Sequence, residues 1–417
     1  MDIDVRTDPR GAIFLDPDAY TDPEAWHATA AALRREAPVL RIEADGYQPV
    51  HALTRHADVF EVSRRNDLWH NTQRSQIMPE WLWQTIVGMG INPRTLVHLD
   101  GTEHRDHRQV TNDWFKPAAV RHRQGDIDAI ADEFVEKMAD LGGECDFARD
   151  VAVPYTLRVI MRIFGVPPSD EPTMLRLTQG IFGAADPEYL GDLASPTEVG
   201  LGAIGGFGDY FGALAADRRA CPTDDLATVI ANGEIDGCPI DDDAMLWYFI
   251  IVATAGHDTT SYALSGGLQA LLDHPEQLEA LRADPSLITN ATEEVIRWTA
   301  PVRHFLRHAT EPVTVGGHDF AEGDTVLLSY WSANRDEDVF ADPMRFDIAR
   351  PDADRLISFG LGAHYCLGSQ FARREVRTFL PKMLERFDRI ELAGDPEWVA
   401  ANFVGGVKHL PITYRPR

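Results

Sequence analysis

The residues with the clearest chemistry are Phe359-Gly360-Leu361-Gly362-Ala363-His364-Tyr365-Cys366-Leu367-Gly368. One cysteine sits in a glycine-rich loop just before a helix that is expected to begin near Leu367. A sulfur at a helix start sees the positive end of the peptide dipole and free backbone N–H groups, so it can stay a thiolate and bind iron. Glycines let the chain turn tightly and approach a flat ligand. Phe359 can shield one side from water, and His364 can reach an anionic group. A lone buried cysteine is more often a small core residue, but the whole ten-residue pattern argues against that here.

Three further groupings fit beside it. In Asp100-Gly101-Thr102-Glu103-His104-Arg105-Asp106-His107-Arg108, His104 and Arg108 are four apart and share a helix face, which suits a pair of carboxylates. In Ala255-Gly256-His257-Asp258-Thr259-Thr260, Thr259 can bond back to the carbonyl four residues earlier and loosen the helix, and Gly256 lets a ligand approach its backbone. Asp258 and Thr259 then form an acid–alcohol pair able to relay protons. Alone, that segment reads as a kink with a solvated aspartate; beside the cysteine loop it reads as function. Glu294 and Arg297 are three apart on one helix face, ordinarily a surface pair of small worth.

Some patterns imitate other chemistry. His104 and His107 have zinc-like spacing, but no further ligand set follows. His104-Arg105-Asp106 copies a kinase triplet, yet Thr111 stands where an asparagine is needed. Gly200-Leu201-Gly202-Ala203-Ile204-Gly205 matches a dinucleotide fingerprint without a preceding strand, so close helix packing is the preferred reading.

The elements that must position these groups are mostly helical. Helices are expected over Pro23–Glu36, His56–Arg64, Ile127–Leu141, Val151–Phe164, Pro168–Phe182 and, as the longest run, Asp241 to about Leu272. Glycines and Pro167 separate several of them, with Gly183 closing the last of the middle group. Strands are expected at Val39–Ile42 and Tyr47–Leu53 as a pair near the N-terminus, then at Val313–Val315 and Thr325–Tyr330. The stretch from Trp69 to Leu99 reads evenly as a covering loop or as a substrate contact.

The bulk numbers bound the fold and its partners. The chain has 417 residues, no low-complexity linker and no fixed-period repeat, so a single domain spanning residues 1–417 is expected. Its net charge of −27 disfavours nucleic acid and anionic membranes. The acidic start does not read as a signal peptide, and no apolar run approaches the roughly 20 residues of a membrane helix. The four cysteines, Cys145, Cys221, Cys238 and Cys366, form no CxxC pair, so a reducing cytoplasm is the default.

These motifs resemble a known family. FGLGAHYCLG is similar to the haem-ligand signature FxxGxxxCxG of the cytochrome P450 monooxygenases, and AGHDTT to their oxygen-activating AGxDTT. Together with Trp298-Thr299-Ala300-Pro301-Val302, Ser332-Ala333-Asn334-Arg335-Asp336-Glu337 and Ala401-Asn402-Phe403-Val404-Gly405-Gly406-Val407-Lys408-His409-Leu410-Pro411, they resemble the bacterial alpha-terpineol hydroxylase branch. The resemblance covers essentially the whole chain and is weakest in the stretches 69–99 and 189–208, where the family varies its pocket.

The resemblance implies a mainly α fold with a small β portion, single-domain and triangular, holding haem b between the long central helix and the cysteine loop. It implies Cys366 as axial iron ligand, with Phe359, Gly360 and Gly368 shaping the haem loop. It implies His104, Arg108, Arg307 and His364 as propionate binders, and Asp258 and Thr259 as the proton route. Glu294, Arg297 and Arg345, the last from Pro343-Met344-Arg345-Phe346, would form a structural lock. Trp81, Trp83, Ile251, Thr254, Ala255, Phe305, Phe403 and Val404 would line the pocket. Electrons would come from a two-iron ferredoxin and an NADH-linked reductase, docking near Arg373, Arg374 and Arg377. The favoured substrate is a monoterpenoid or alkyl aromatic; a steroid or fatty-acid hydroxylase is the alternative. Readings of another class are a non-catalytic haem-binding sensor and a nicotinamide dehydrogenase built on the Gly200 segment.

Overall fold

The computed structural model describes residues 3–71, 74–182, 186–190 and 195–417. Its two walls are helical. One is the broken central run, Asp242–Ala255 followed by Asp258–Asp273. The other is Ser369–Arg386, which follows the cysteine loop. Asp241 starts the first of these helices by accepting a hydrogen bond from the Ala244 N–H (2.8 Å). Its interior is apolar nearly all round, as a helix buried on most of its surface must be. The expected single run is interrupted at Gly256-His257, and the longest helix is Pro196–Ala220.

Pro196–Ala220 corrects a second expectation. The span Thr197–Ala220 is long and apolar enough, by length and composition, to cross a membrane. Its apolarity is spread over glycine, alanine, leucine and phenylalanine and is not one unbroken run, so it escapes a search for such a run. Part of that composition serves packing: a Cβ at Gly206 would lie 2.6 Å from Leu177 on the Glu171–Phe182 helix.

The predicted helices Pro23–Glu36 and His56–Arg64 form with those bounds. Val151–Phe164 divides into a π-helical turn, Phe147–Ala152, and an α-helix, Val153–Phe164. That helix stops at Gly165, whose φ of 75° and nearby Asp225 carboxylate leave no space for a side chain. Pro168–Asp170 is a 3-10 turn before Glu171–Phe182. Gly183 lies outside the described residues.

The strand pair near the N-terminus is part of something larger. Val39–Ile42 pairs antiparallel with Val50–Leu53, which runs parallel to Thr325–Ser329. His304–Ala309 and Trp69–His70 complete a five-stranded sheet. This assembly carries Arg307 toward the helical body. A three-stranded sheet orders Phe387–Leu392, Pro411–Pro416 and Glu144–Asp146. The largest apolar core fills the helical half, and a second core of Trp26, Leu33 and Trp331 lies beneath the five-stranded sheet.

Candidate active site

The cysteine loop is held by its own backbone. The Cys366 N–H donates to the Phe359 carbonyl (2.8 Å) and the Gly360 N–H to the Ile357 carbonyl (2.9 Å). Gly362 has φ 70°, and a Cβ there would lie 2.6 Å from both the Ser63 carbonyl and Asn66 Oδ1, so only glycine fits. Burial pushes the Cys366 thiol up from its ordinary range; the Gly368 N–H, Arg108, Arg373 and the Ser369 N–H oppose that shift. Arg108 also donates to the Tyr365 carbonyl (2.7 Å), which ties its helix to this loop.

The break in the central run lines the same cavity, of about 490 Å³, as the cysteine loop. Thr259 lines it, and its hydroxyl donates to the Ala255 carbonyl (2.8 Å), the back-bond its spacing predicts. Gly256 also lines it, but a Cβ there would meet Ile160 at 2.9 Å, so this bare position admits the neighbouring helix. Asp258 does not line the cavity. It is buried with Oδ1 3.0 Å from His257 Nδ1, while Oδ2 has no hydrogen-bond partner in the protein.

At the cavity edge, His104, Arg108, Arg307 and His364 come together from a helix, a strand and the cysteine loop. The His104 and His364 rings are 4.2 Å apart. Burial, then the neighbouring His364 and Arg108, pulls His104 down to about 3. His104 Nε2 and Arg307 Nε are buried without partners in the protein. Such orphaned nitrogens are costly unless a ligand satisfies them. They suit the paired carboxylates of a haem, with an open sulfur for its iron, so the residues present fit that group. Sequence reasoning missed Asp100, which accepts from the Asn71 N–H (2.9 Å) and lies 3.3 Å from His364 Nε2. Its signal was its place just ahead of the Gly101–Asn112 helix.

Of the expected pocket residues, Trp83, Ile251, Thr254, Ala255, Phe305, Phe403 and Val404 line the cavity. Trp81 does not: it is 57% exposed on the far side of the Glu80–Gly88 helix, whose inner positions are Leu82, Trp83 and Ile86. Thr197, Leu201 and Ile204, at helical spacing, were missed, as were Trp247 and the buried carboxyl of Glu375. Burial pushes Glu375 well above the usual carboxylate range. The Gly200–Gly205 segment lies inside a helix, so it forms no strand–turn–helix phosphate cradle.

The structural lock has a different third member. Glu294 pairs with Arg297 (2.7 Å) and with Arg350 (3.2 Å), all three buried. Arg345 is exposed and contributes its carbonyl, which accepts from Arg350 (2.6 Å) and Arg297 (3.5 Å). Arg345 closes the turn that begins at Asp342 and is exposed, while Arg350 closes the next turn, from Asp347, and is buried. On the Ser369–Arg386 helix, Arg373 and Arg377 are both engaged by Glu293 (2.8 and 2.7 Å), leaving Arg374 without an ion pair among the described residues. No cluster of three or more metal-ligating side chains occurs among the described residues.

Comparison with known proteins shows the family. The cytochrome P450 family model matches residues 218–407. Cytochrome P450-terp of a Pseudomonas species is 40% identical over 410 residues, 95% of each chain. A steroid C26-monooxygenase of Mycobacterium tuberculosis is 31% identical over 97% of each chain. Among solved structures, CYP108D1 of Novosphingobium aromaticivorans superposes with a TM-score of 0.91 at 39% identity, covering 98% of each chain.

Proposed function

The chain belongs to the cytochrome P450 family of haem-thiolate monooxygenases, and from that premise we propose that it hydroxylates a C–H bond of a small apolar molecule, a monoterpenoid or alkyl aromatic, using electrons from a two-iron ferredoxin with its NADH-linked reductase. Bound haem b supplies dioxygen activation and the oxidation itself. The protein's own groups do the remainder. Cys366 Sγ is the iron ligand, and coordination deprotonates a thiol outright. His104, Arg108, Arg307 and His364 neutralise the two haem carboxylates. Phe359, Gly360 and Gly368 shape the loop around the sulfur.

Asp258 carries protons to the Thr259 hydroxyl, which presents them at the cavity wall. Acid–base help of this kind contributes about 10²–10⁴ in rate. Trp83, Ile251, Phe305, Phe403 and Val404 exclude water and orient an apolar substrate. The observation that carries this reading is that Thr259, Cys366 and the four donors His104, Arg108, Arg307 and His364 all line one largely apolar cavity. Arg374 and its neighbours on the Ser369–Arg386 helix form the docking side for the acidic electron carrier. The enzyme works in the cytoplasm.

A second substrate class is favoured by relatives named steroid C26-monooxygenase and methyl-branched lipid omega-hydroxylase, the latter 32% identical over 94% of this chain. Spectral titration of the ferric enzyme separates the two. Alpha-terpineol and alkyl aromatics are expected to shift the haem absorption band and to be hydroxylated at the expense of NADH. A response to steroids or branched fatty acids alone overturns the small-substrate reading.

A further inference from the structure

We infer that His257 is a doubly protonated imidazolium held against Asp258, a positioning residue that fixes one carboxylate oxygen so that the other handles protons. The inference deepens the proposed proton route and rests on the role given there to Asp258.

Every polar group around the fully buried His257 ring is an acceptor. Nε2 lies 3.1 Å from the Val153 carbonyl. Nδ1 lies 3.0 Å from Asp258 Oδ1 and 3.5 Å from Thr178 Oγ1. The Thr178 hydroxyl donates its own hydrogen to the Leu175 carbonyl (3.0 Å), so it too faces the ring as an acceptor. A neutral imidazole has one N–H and one lone pair. In this setting that lone pair would point at an oxygen lone pair at contact distance. A ring with both protons donates on both sides.

The charge is also needed. Asp258 is buried, and among the described residues no lysine or arginine forms an ion pair with it; His257 is its sole charged partner. A buried carboxylate without a cation is strongly disfavoured. With Oδ1 engaged by His257, Oδ2 is left without a partner in the protein, at the start of the Asp258–Asp273 helix and one residue from Thr259. The ring therefore acts through Asp258: it keeps its proton, holds Oδ1, and leaves Oδ2 to accept and release the travelling proton. It also joins three elements, the start of Val153–Phe164, the Glu171–Phe182 helix and the break itself.

The test is nitrogen-15 NMR of histidine-labelled holoenzyme in its diamagnetic ferrous carbon monoxide form. The His257 signals, assigned by their loss in His257→Asn, are expected to show two proton-bearing ring nitrogens; in Asp258→Asn they are expected to show one. In turnover of alpha-terpineol with a ferredoxin system, His257→Asn, which keeps a donor near Asp258 without the charge, should lower the rate about tenfold. It should also raise the solvent isotope effect on turnover above that of the wild type, with haem content unchanged. His257→Gln serves if the asparagine variant does not fold. A singly protonated ring in the wild type, or a ring unchanged by Asp258→Asn, overturns the inference, as does a folded variant with unaltered rate and isotope effect. Failure of the underlying proton route looks different: Asp258→Asn turns over like wild type while the ring signal still changes, which upholds the ion pair and removes its catalytic use.

Discussion

Thr259 Oγ1 and the Ala255 carbonyl are joined by a 2.8 Å hydrogen bond that spans the break in the central run. That bond takes one carbonyl out of the regular ladder and holds the hydroxyl on the cavity wall. The same atom is thereby a structural bond donor that also faces the cavity.

Thr259→Ala should therefore keep haem and substrate binding while uncoupling the reaction. NADH consumption is expected to persist, with most electrons recovered as hydrogen peroxide and little as hydroxylated product. Measuring product formed per NADH checks it; unchanged coupling removes Thr259 from the proton route.

Cys366→His should abolish the red-shifted carbon monoxide band of ferrous thiolate-ligated haem. The loop is fixed by backbone bonds from Cys366, Gly360 and the Gly362 turn, so folding is expected to survive the change. Persistence of the band would assign the ligand elsewhere.

The Glu294–Arg297–Arg350 group gives a prediction on stability. Removing one partner of a buried ion pair typically costs about 3–5 kcal/mol, because a charge stays behind unpaired. Arg350→Ala should fall toward the lower end, about 3 kcal/mol, since Arg297 still holds Glu294. Arg345→Ala is expected to change stability by about 0.5 kcal/mol or less, as at other exposed sites. Urea unfolding of the two variants decides which arginine completes the lock.

His304 should make the protein acid-sensitive. Its ring is fully buried and accepts from the Ile77 N–H (3.0 Å), so it stays neutral, and burial pulls it down to about 3. The unfolded chain takes up a proton there near pH 6.5 and the folded one does not. The stability associated with the neutral ring is thus complete above about pH 6.5 and declines as pH falls toward about 3, by roughly 1.4 kcal/mol per pH unit. His304→Gln keeps an acceptor for Ile77 and removes this titration. Urea melts at pH 7 and pH 5 should show about 2 kcal/mol less acid loss in the variant than in the wild type. Equal losses would assign the acid sensitivity to other groups.

What the sequence alone determined is what lies within a few residues of chain. The cysteine loop, the His104/Arg108 face and the Thr259 back-bond are set by turns and helical spacing, and each forms as its local pattern requires. The tertiary structure decided the relations between distant segments. Glu294 chose Arg350 over Arg345 because, of two successive turns, the second buries Arg350 beside it while the first leaves Arg345 exposed. Trp83 and Trp81 separate because a helix can present only one of them to the cavity. Asp100 met His364, and Glu293 neutralised Arg373 and Arg377, through contacts across 264 and about 80 residues of chain. Periodicity says which residues share a face, but only packing says what that face meets.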